Sequence, residues 1–118
     1  MGAFGIETSP RELAKIALCV ADKGRWKGQQ VLDSTWLEEM YSPQVQRGGN
    51  KHSFGFYWWI DEKRDIYFMD GHGGQFAFIS PEKNLVVIMT SFPNTQGDYQ
   101  IRPEEAVLIM DKTMEAAN

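Results

Sequence analysis

Ile66-Tyr67-Phe68-Met69-Asp70-Gly71-His72-Gly73-Gly74-Gln75-Phe76-Ala77-Phe78-Ile79-Ser80-Pro81-Glu82-Lys83-Asn84-Leu85-Val86-Val87-Ile88-Met89-Thr90 is the stretch on which the reading of the fold turns. Ile66 to Met69 reads as a strand, rich in β-branched and aromatic residues. Gly71-His72-Gly73-Gly74 interrupts it, and Gln75 to Ile79 resumes the strand character. Ser80-Pro81-Glu82-Lys83-Asn84 is a turn by composition. Leu85 to Thr90 is a continuous apolar run, the pattern of a strand buried on both faces. Strands joined by such short turns run antiparallel.

Working outward, the period stays at two upstream. Phe54, Phe56, Trp58 and Ile60 are expected on one side of a single strand, with Tyr57 and Trp59 on the other. Asp61 to Asp65 is a charged turn. Ser42 to Ser53, with Gly48-Gly49-Asn50, reads as a loop. Before it, Asp33 or Ser34 caps a short helix carrying Trp36, Leu37, Met40 and Tyr41, with Pro43 just beyond. Gly24 to Leu32 is a turn or small hairpin around Lys27-Gly28. The first helix starts at Ser9-Pro10-Arg11-Glu12, which combines a capping hydroxyl, a first-turn proline and a glutamate placed for a capping box. Leu13, Ile16, Ala17, Val20 and Ala21 form its apolar side, and Gly24 stops it. Downstream, Phe92 to Ile101 is a loop. Pro103-Glu104-Glu105 opens a last helix, whose buried side is expected to be Ala106, Val107, Ile109, Met110, Thr113 and Met114. The expected architecture is α+β: an antiparallel sheet of three to four strands covered by N-terminal and C-terminal helices.

Composition sets outer limits. The chain has 118 residues, 42% hydrophobic and 24% charged, which suits one globular unit spanning 1–118 with a real core. Its net charge of −4 argues against binding nucleic acid or an anionic membrane, which would need a basic face. The longest apolar run, Ile16 to Ala21, is far too short to span a bilayer. No signal peptide follows Met1, and the single Cys19 excludes an intrachain disulfide framework.

Chemistry is most legible in Gly71-His72-Gly73-Gly74-Gln75. Three glycines in four positions strip side chains from the chain, which marks either a close approach by a ligand or a tight turn. In the first case His72 can donate to a ligand and freed backbone N–H groups can stabilise an oxyanion. In the second, the glycines join two hairpin strands and His72 is simply exposed. A phosphate loop fits poorly, because such loops lead into a helix. Asp70, His72 and His52 lack any metal-ligand spacing, so neither metal nor cofactor is expected. Cys19, inside an apolar run, reads as a small core residue. Of Trp58 and Trp59, adjacent on a strand, one must face the core. Met110 and Met114 are helix core positions.

His72-Gly73-Gly74-Gln75 and the strand–turn–strand after it resemble the C-terminal part of the serine beta-lactamase and penicillin-binding-protein superfamily, in its class C-like esterase and peptidase branch. Three further segments resemble the same family in the same order. They are Thr8-Ser9-Pro10-Arg11-Glu12-Leu13-Ala14-Lys15, then Lys23 to Leu32, then Phe54-Gly55-Phe56-Tyr57-Trp58-Trp59. The resemblance implies that His72-Gly73-Gly74 stands where the family carries Lys-Thr-Gly or His-x-Gly, lining one wall of the active site on an edge strand. It also implies that His72, Gly73, Gly74 and Gln75 bind a small acyl substrate, with the Gln75 N–H as half of an oxyanion hole.

The departures are equally informative. The family's nucleophile lies in Ser-x-x-Lys at a helix start, and acyl transfer needs that activated hydroxyl. The only such spacing here, Ser80-Pro81-Glu82-Lys83, falls in a strand–strand turn. No Tyr-x-Asn occurs; Tyr41, Tyr57, Tyr67 and Tyr99 are followed two residues on by Pro43, Trp59, Met69 and Ile101. No residue of this chain is therefore assigned as catalytic. The expectation is a C-terminal fragment of a beta-lactamase-like hydrolase, inactive alone, from a family that works mostly in the periplasm or outside the cell. The alternative is a non-catalytic domain that binds a partner or associates with itself through exposed sheet or helix surface.

Overall fold

A computed structural model of the chain describes residues 5–46, 52–92 and 101–117. Helix α1 spans Pro10–Ala21; the Ser9 hydroxyl accepts from the Glu12 N–H at 3.3 Å, while the Glu12 carboxylate turns outward to Lys15 at 2.6 Å. Gly24, at φ +84°, ends the turn that follows, and its N–H donates to the Cys19 carbonyl. Strands β1 (Arg25–Trp26) and β2 (Gln29–Gln30) form the small hairpin expected around Lys27-Gly28. Helix α2 (Ser34–Tyr41) is capped by Asp33, whose carboxylate accepts from the Trp36 N–H at 3.0 Å. Helix α3 spans Pro103–Ala116. There the Glu105 carboxylate accepts from the Arg102 N–H at 2.9 Å, satisfying one donor at the helix start.

Between α2 and α3 lies one antiparallel sheet in chain order: β3 (Val45–Gln46), β4 (Ser53–Phe54), β5 (Trp59–Asp61), β6 (Ile66–Gly71), β7 (Gln75–Ser80) and β8 (Leu85–Met89). Six strands replace the three to four expected, for two reasons. The stretch Phe54 to Ile60 is a hairpin rather than one strand, because the chain reverses at Phe56-Tyr57 and the Gly55 N–H donates to the Trp58 carbonyl at 2.9 Å. Phe56 and Tyr57 are consequently exposed at its tip rather than alternating across a sheet. The ends of the segment read as a loop, Val45–Gln46 and Ser53, also pair with the sheet. Gly48-Gly49-Asn50, Tyr99 and most of the loop from Phe92 to Ile101 lie outside the described residues.

The sheet is covered on both faces. Ile66, Phe68, Phe76 and Phe78 pack against Ala106, Val107 and Met110 of α3. On the opposite face, Trp58 and Ile79 pack with Ala17, Val20 and Leu37 of α1 and α2. Alternation along β6 and β7 sends successive side chains to these two cores. Trp58 joins one and Trp59 the other, so both tryptophans are core residues. Three phenylalanines are at most 1% exposed, each contributing about 1.5–3 kcal/mol of burial. Strand β8 also feeds both cores, Leu85, Val87 and Met89 to one and Val86 and Ile88 to the other. All five stay half-buried, because β8 is the last strand and pairs only with β7 among the described residues.

Two helices bury less than their sequence period suggests. Ile16 of α1 and Ile109 of α3 were expected inside, yet they are 55% and 46% exposed. A helix touching a sheet on one side buries a narrow stripe, and both residues fall at its margin. Leu108 joins Ile109 outside, so α3 shows an apolar outer stripe with Lys112, Thr113 and Ala116.

One ion network ties α3 to the sheet. Asp61, 2% exposed at the end of β5, accepts from the Lys63 and Arg64 N–H groups at 3.1 and 3.2 Å and from the Arg64 guanidinium at 2.8 Å. The same guanidinium holds both oxygens of Asp111 on α3, at 2.7 and 3.0 Å. Those bonds, Asp111's first, push the Arg64 pKa upward despite the opposing cost of burial.

Candidate functional site

The glycine-rich segment is the turn of the β6–β7 hairpin. Gly71 pairs with Gln75, leaving His72, Gly73 and Gly74 as the loop. Gly73 and Gly74 stand at φ +83° and +82°, where a side chain is strained and glycine is not. His72 is exposed, whereas Gly73 and Gly74 are buried.

The turn is buried because two later segments strap it down. The Ser91 hydroxyl, just past β8, lies 2.5 Å from the Gly73 carbonyl and 3.1 Å from that of Gly74. The Gln75 side-chain amide donates to the Ser91 carbonyl. Ile101, just before α3, closes the other side: a Cβ built on Gly74 would lie 3.3 Å from the Ile101 Cβ. Gly74 therefore meets both demands that select glycine, a left-handed backbone and a close approach. Ser91 and Ile101 carry no periodic signal in the sequence, since both fall at the ends of a loop.

The expected edge strand is an interior one. β7 runs between β6 and β8, with Phe76 opposite Met89 at the end of the β7–β8 ladder and Gln75 one residue beyond it. Of the expected wall, His72 is the exposed residue. Asp70, one residue before the turn pair, has its carboxyl held above the ordinary range, first by desolvation and then by Glu104 of α3.

The remaining candidates are dispersed. His52 Nε2 lies 3.3 Å from Asp61 Oδ2, and Asp61 pairs with Ile66 at the end of β6 opposite the glycine turn. The two histidines are thus at opposite ends of the sheet. Among the described residues, no group of three or more His, Cys, Asp or Glu is placed to hold a metal ion. Ser80 is 2% exposed at the end of β7 and pairs with Leu85, with none of the helix-start geometry of a Ser-x-x-Lys nucleophile. Cys19 is buried, and desolvation followed by Asp22 raises its pKa. Tyr41 is stacked on Tyr67 with ring centroids 3.9 Å apart; its buried hydroxyl has no hydrogen-bond partner among the described residues, and burial pushes its pKa up. Burial thus favours the neutral phenol. No described helix is long and apolar enough to cross a membrane.

An aromatic cluster stands at the same end of the sheet as the glycine turn. Trp36 of α2 stacks on Phe56 with ring centroids 5.6 Å apart and planes 22° from parallel. Tyr57 beside it is 74% exposed and has a φ of +67°. Gly55 makes this possible, because a Cβ there would run into the Met40 carbonyl oxygen at the end of α2.

Neither a protein-family model nor a curated protein sequence matches this chain. Among solved structures, a proposed 6-aminohexanoate-dimer hydrolase from Bacillus anthracis is similar over 93% of this chain, at 21% identity and a TM-score of 0.69. The chain spans 28% of that protein's length. The architecture is that of the C-terminal portion of a beta-lactamase-like fold, a mixed α+β arrangement of antiparallel strands and three helices.

Proposed function

We propose that this chain is the C-terminal part of a beta-lactamase-like serine hydrolase, and that the turn from His72 to Gln75 is one wall of its acyl-binding cleft. The single observation that carries the reading is the strapped turn, in a fold spanning 28% of a hydrolase-named structure. A turn whose peptide planes are fixed holds its side chains and donors in place without reorganising during reaction. His72, exposed beside them, is placed to donate to the substrate. The bond attacked is the acyl carbon–heteroatom bond of a beta-lactam, a D-Ala peptide or an ester. A serine hydroxyl outside this chain attacks that carbon and passes its proton to a base also outside it; the base returns the proton to the heteroatom as the acyl carbon–heteroatom bond breaks, and water, giving its own proton back to the serine through the same base, then releases the acyl group as a carboxylic acid. The chain alone thus lacks the nucleophile and acts on none of these substrates.

The purified 118-residue chain, given a chromogenic beta-lactam and a p-nitrophenyl ester, is expected to show no turnover above buffer. Turnover that exceeds a His72→Ala control overturns the inactivity. Reading the DNA immediately upstream tests the origin: an in-frame Ser-x-x-Lys and Tyr-x-Asn support the enzyme fragment. A ribosome site and stop codon just before Met1 support a stand-alone domain. That second reading is favoured by the one-sided pairing of β8 among the described residues and by the apolar outer stripe of α3, surfaces suited to self-association. Light scattering showing a strict monomer at high concentration counts against it.

A further inference from the structure

The outer face of α3 carries side chains that the packing of this chain does not use. Leu108 and Ile109 are 62% and 46% exposed, on a helix whose inner side, Ala106, Val107 and Met110, is closed in the core. They line a shallow apolar depression with Lys112, Thr113 and Ala116. Glu105 is exposed as well. It stands three residues before Leu108, and Lys112 stands four residues after Leu108, so the three share one helical face. Along that face the order is acidic, apolar, basic.

That order is complementary to itself. Two such helices laid side by side in parallel set Glu105 against Glu105 and Lys112 against Lys112. Laid antiparallel, about a two-fold axis between positions 108 and 109, they set Glu105 of each copy level with Lys112 of the other. The overlap then runs from 103 to 114, about 18 Å of helix. Leu108 and Ile109 lie at the axis and meet their own counterparts, so the apolar centre stands between two pairs of opposite charge. A two-fold contact uses the same patch on both copies and closes at two.

The charged groups have capacity for a second partner. Lys112 holds Glu115 at 2.9 Å, an exposed pair of little worth, and its ammonium has three donors. Glu105 accepts from the Arg102 N–H through Oε2, which leaves acceptor sites on the same carboxylate. Asp111, next to Lys112 in sequence, is already neutralised by the Arg64 guanidinium on the side of the sheet.

We infer that α3 is the contact through which this chain pairs with a second copy of itself, antiparallel, with Leu108 and Ile109 at the axis and Glu105 of each copy against Lys112 of the other. The inference rests on the self-association reading above and gives it one surface, one orientation and one register. One helix face buries less than the roughly 800 Å² per partner of a standard interface, so the dimer is weak.

Sedimentation equilibrium of the 118-residue chain from about 10 μM to about 1 mM, the range of weak association, reads the dimer. Lys112→Glu sets like charges level at both ends and is expected to weaken association at least about tenfold; Leu108→Ser, which removes the apolar centre, is expected to do the same. Both positions are exposed, so circular dichroism should match the parent chain. Glu105→Lys is expected to weaken association in the same way. An equal mixture of Glu105→Lys and Lys112→Glu chains is expected to restore it. The first chain then carries two cations on this face and the second two carboxylates, so every charge pair across the axis is opposite. Residues with a purely structural role would not give dimers from two chains that are each monomeric. Glu105→Lys gives up the bond to the Arg102 N–H, so its fold is checked first; if it does not fold, Lys112→Glu and Leu108→Ser decide. Association that neither of these two weakens overturns the α3 pair and leaves the self-association reading, with β8 as its surface. Failure of the mixture to dimerise with both chains folded overturns the antiparallel pair as well. A strict monomer over the whole range overturns the pair and the self-association reading together.

Discussion

Replacing Gly74 with alanine tests the strapped turn directly. At φ +82° a Cβ costs about 1–2 kcal/mol from backbone strain. The new methyl also meets the Ser91 hydroxyl and lies 3.3 Å from the Ile101 Cβ. Ser91 could rotate away, but its one proton, shared between the Gly73 and Gly74 carbonyls, would lose that bond, about 1 kcal/mol. If it stays, overpacking costs about 1–3 kcal/mol. Either way Gly74→Ala should lose about 2–5 kcal/mol, a large share of the 5–15 kcal/mol typical of a domain. Gly28 is the control, since it has nearly the same φ, +80°, with nothing within 4 Å of a built Cβ. Gly28→Ala should cost only the strain, about 1–2 kcal/mol. Urea unfolding followed by tryptophan fluorescence measures both. Adding Ser91→Ala to Gly74→Ala should recover part of the difference. Equal costs at positions 74 and 28, or no coupling between 74 and 91, would refute the strapped turn.

Two further perturbations reach other parts of the molecule. Arg64→Ala strips buried Asp61 of its cation and unties α3, and should cost about 2–4 kcal/mol in urea unfolding, against about 1 kcal/mol for the more exposed Asp111→Ala; a loss below about 1 kcal/mol for Arg64→Ala would count against the network. Asp70 has a folded-state pKa above its unfolded one, so its contribution to stability is lost as pH rises through the raised value. Asp70→Asn should therefore raise the melting midpoint near neutral pH and leave it unchanged at about pH 3, below both values; the same gain at both pH values contradicts the assignment.

Much of this molecule is legible in its sequence because local signals and packing agree. Ser9, Asp33 and Pro103 mark helix starts, and the strands from Ile66 onward follow apolar runs broken by turn residues. The hairpin at Phe56-Tyr57 is not legible, because the aromatic residues around it alternate as a strand would. Its reversal comes from Gly55 fitting under the end of α2, a contact between segments that no period reports. The exposure of Ile16 and Ile109 is hidden likewise, since a helical period gives an apolar side but not how wide a neighbour will cover it. At the site, the glycines announce a special turn, and the structure adds what fixes it. Ser91 and Ile101 act from beyond β8, and their role exists only once that strand lies beside β7.

The order of the sheet has a consequence for how the chain acquires its structure. Every strand from β3 to β8 pairs with the strand next to it in sequence, so each new hairpin needs only a short loop closure. Such topologies have low contact order and fold quickly, one hairpin templating the next. Helix α1 is the exception, because it packs on β7 and β8 from the far end of the chain. The meander and α3 can therefore form first, with α1 docking last onto a finished face. Mutations in the β6–β7 hairpin should then slow folding, whereas mutations in α1 should mainly speed unfolding.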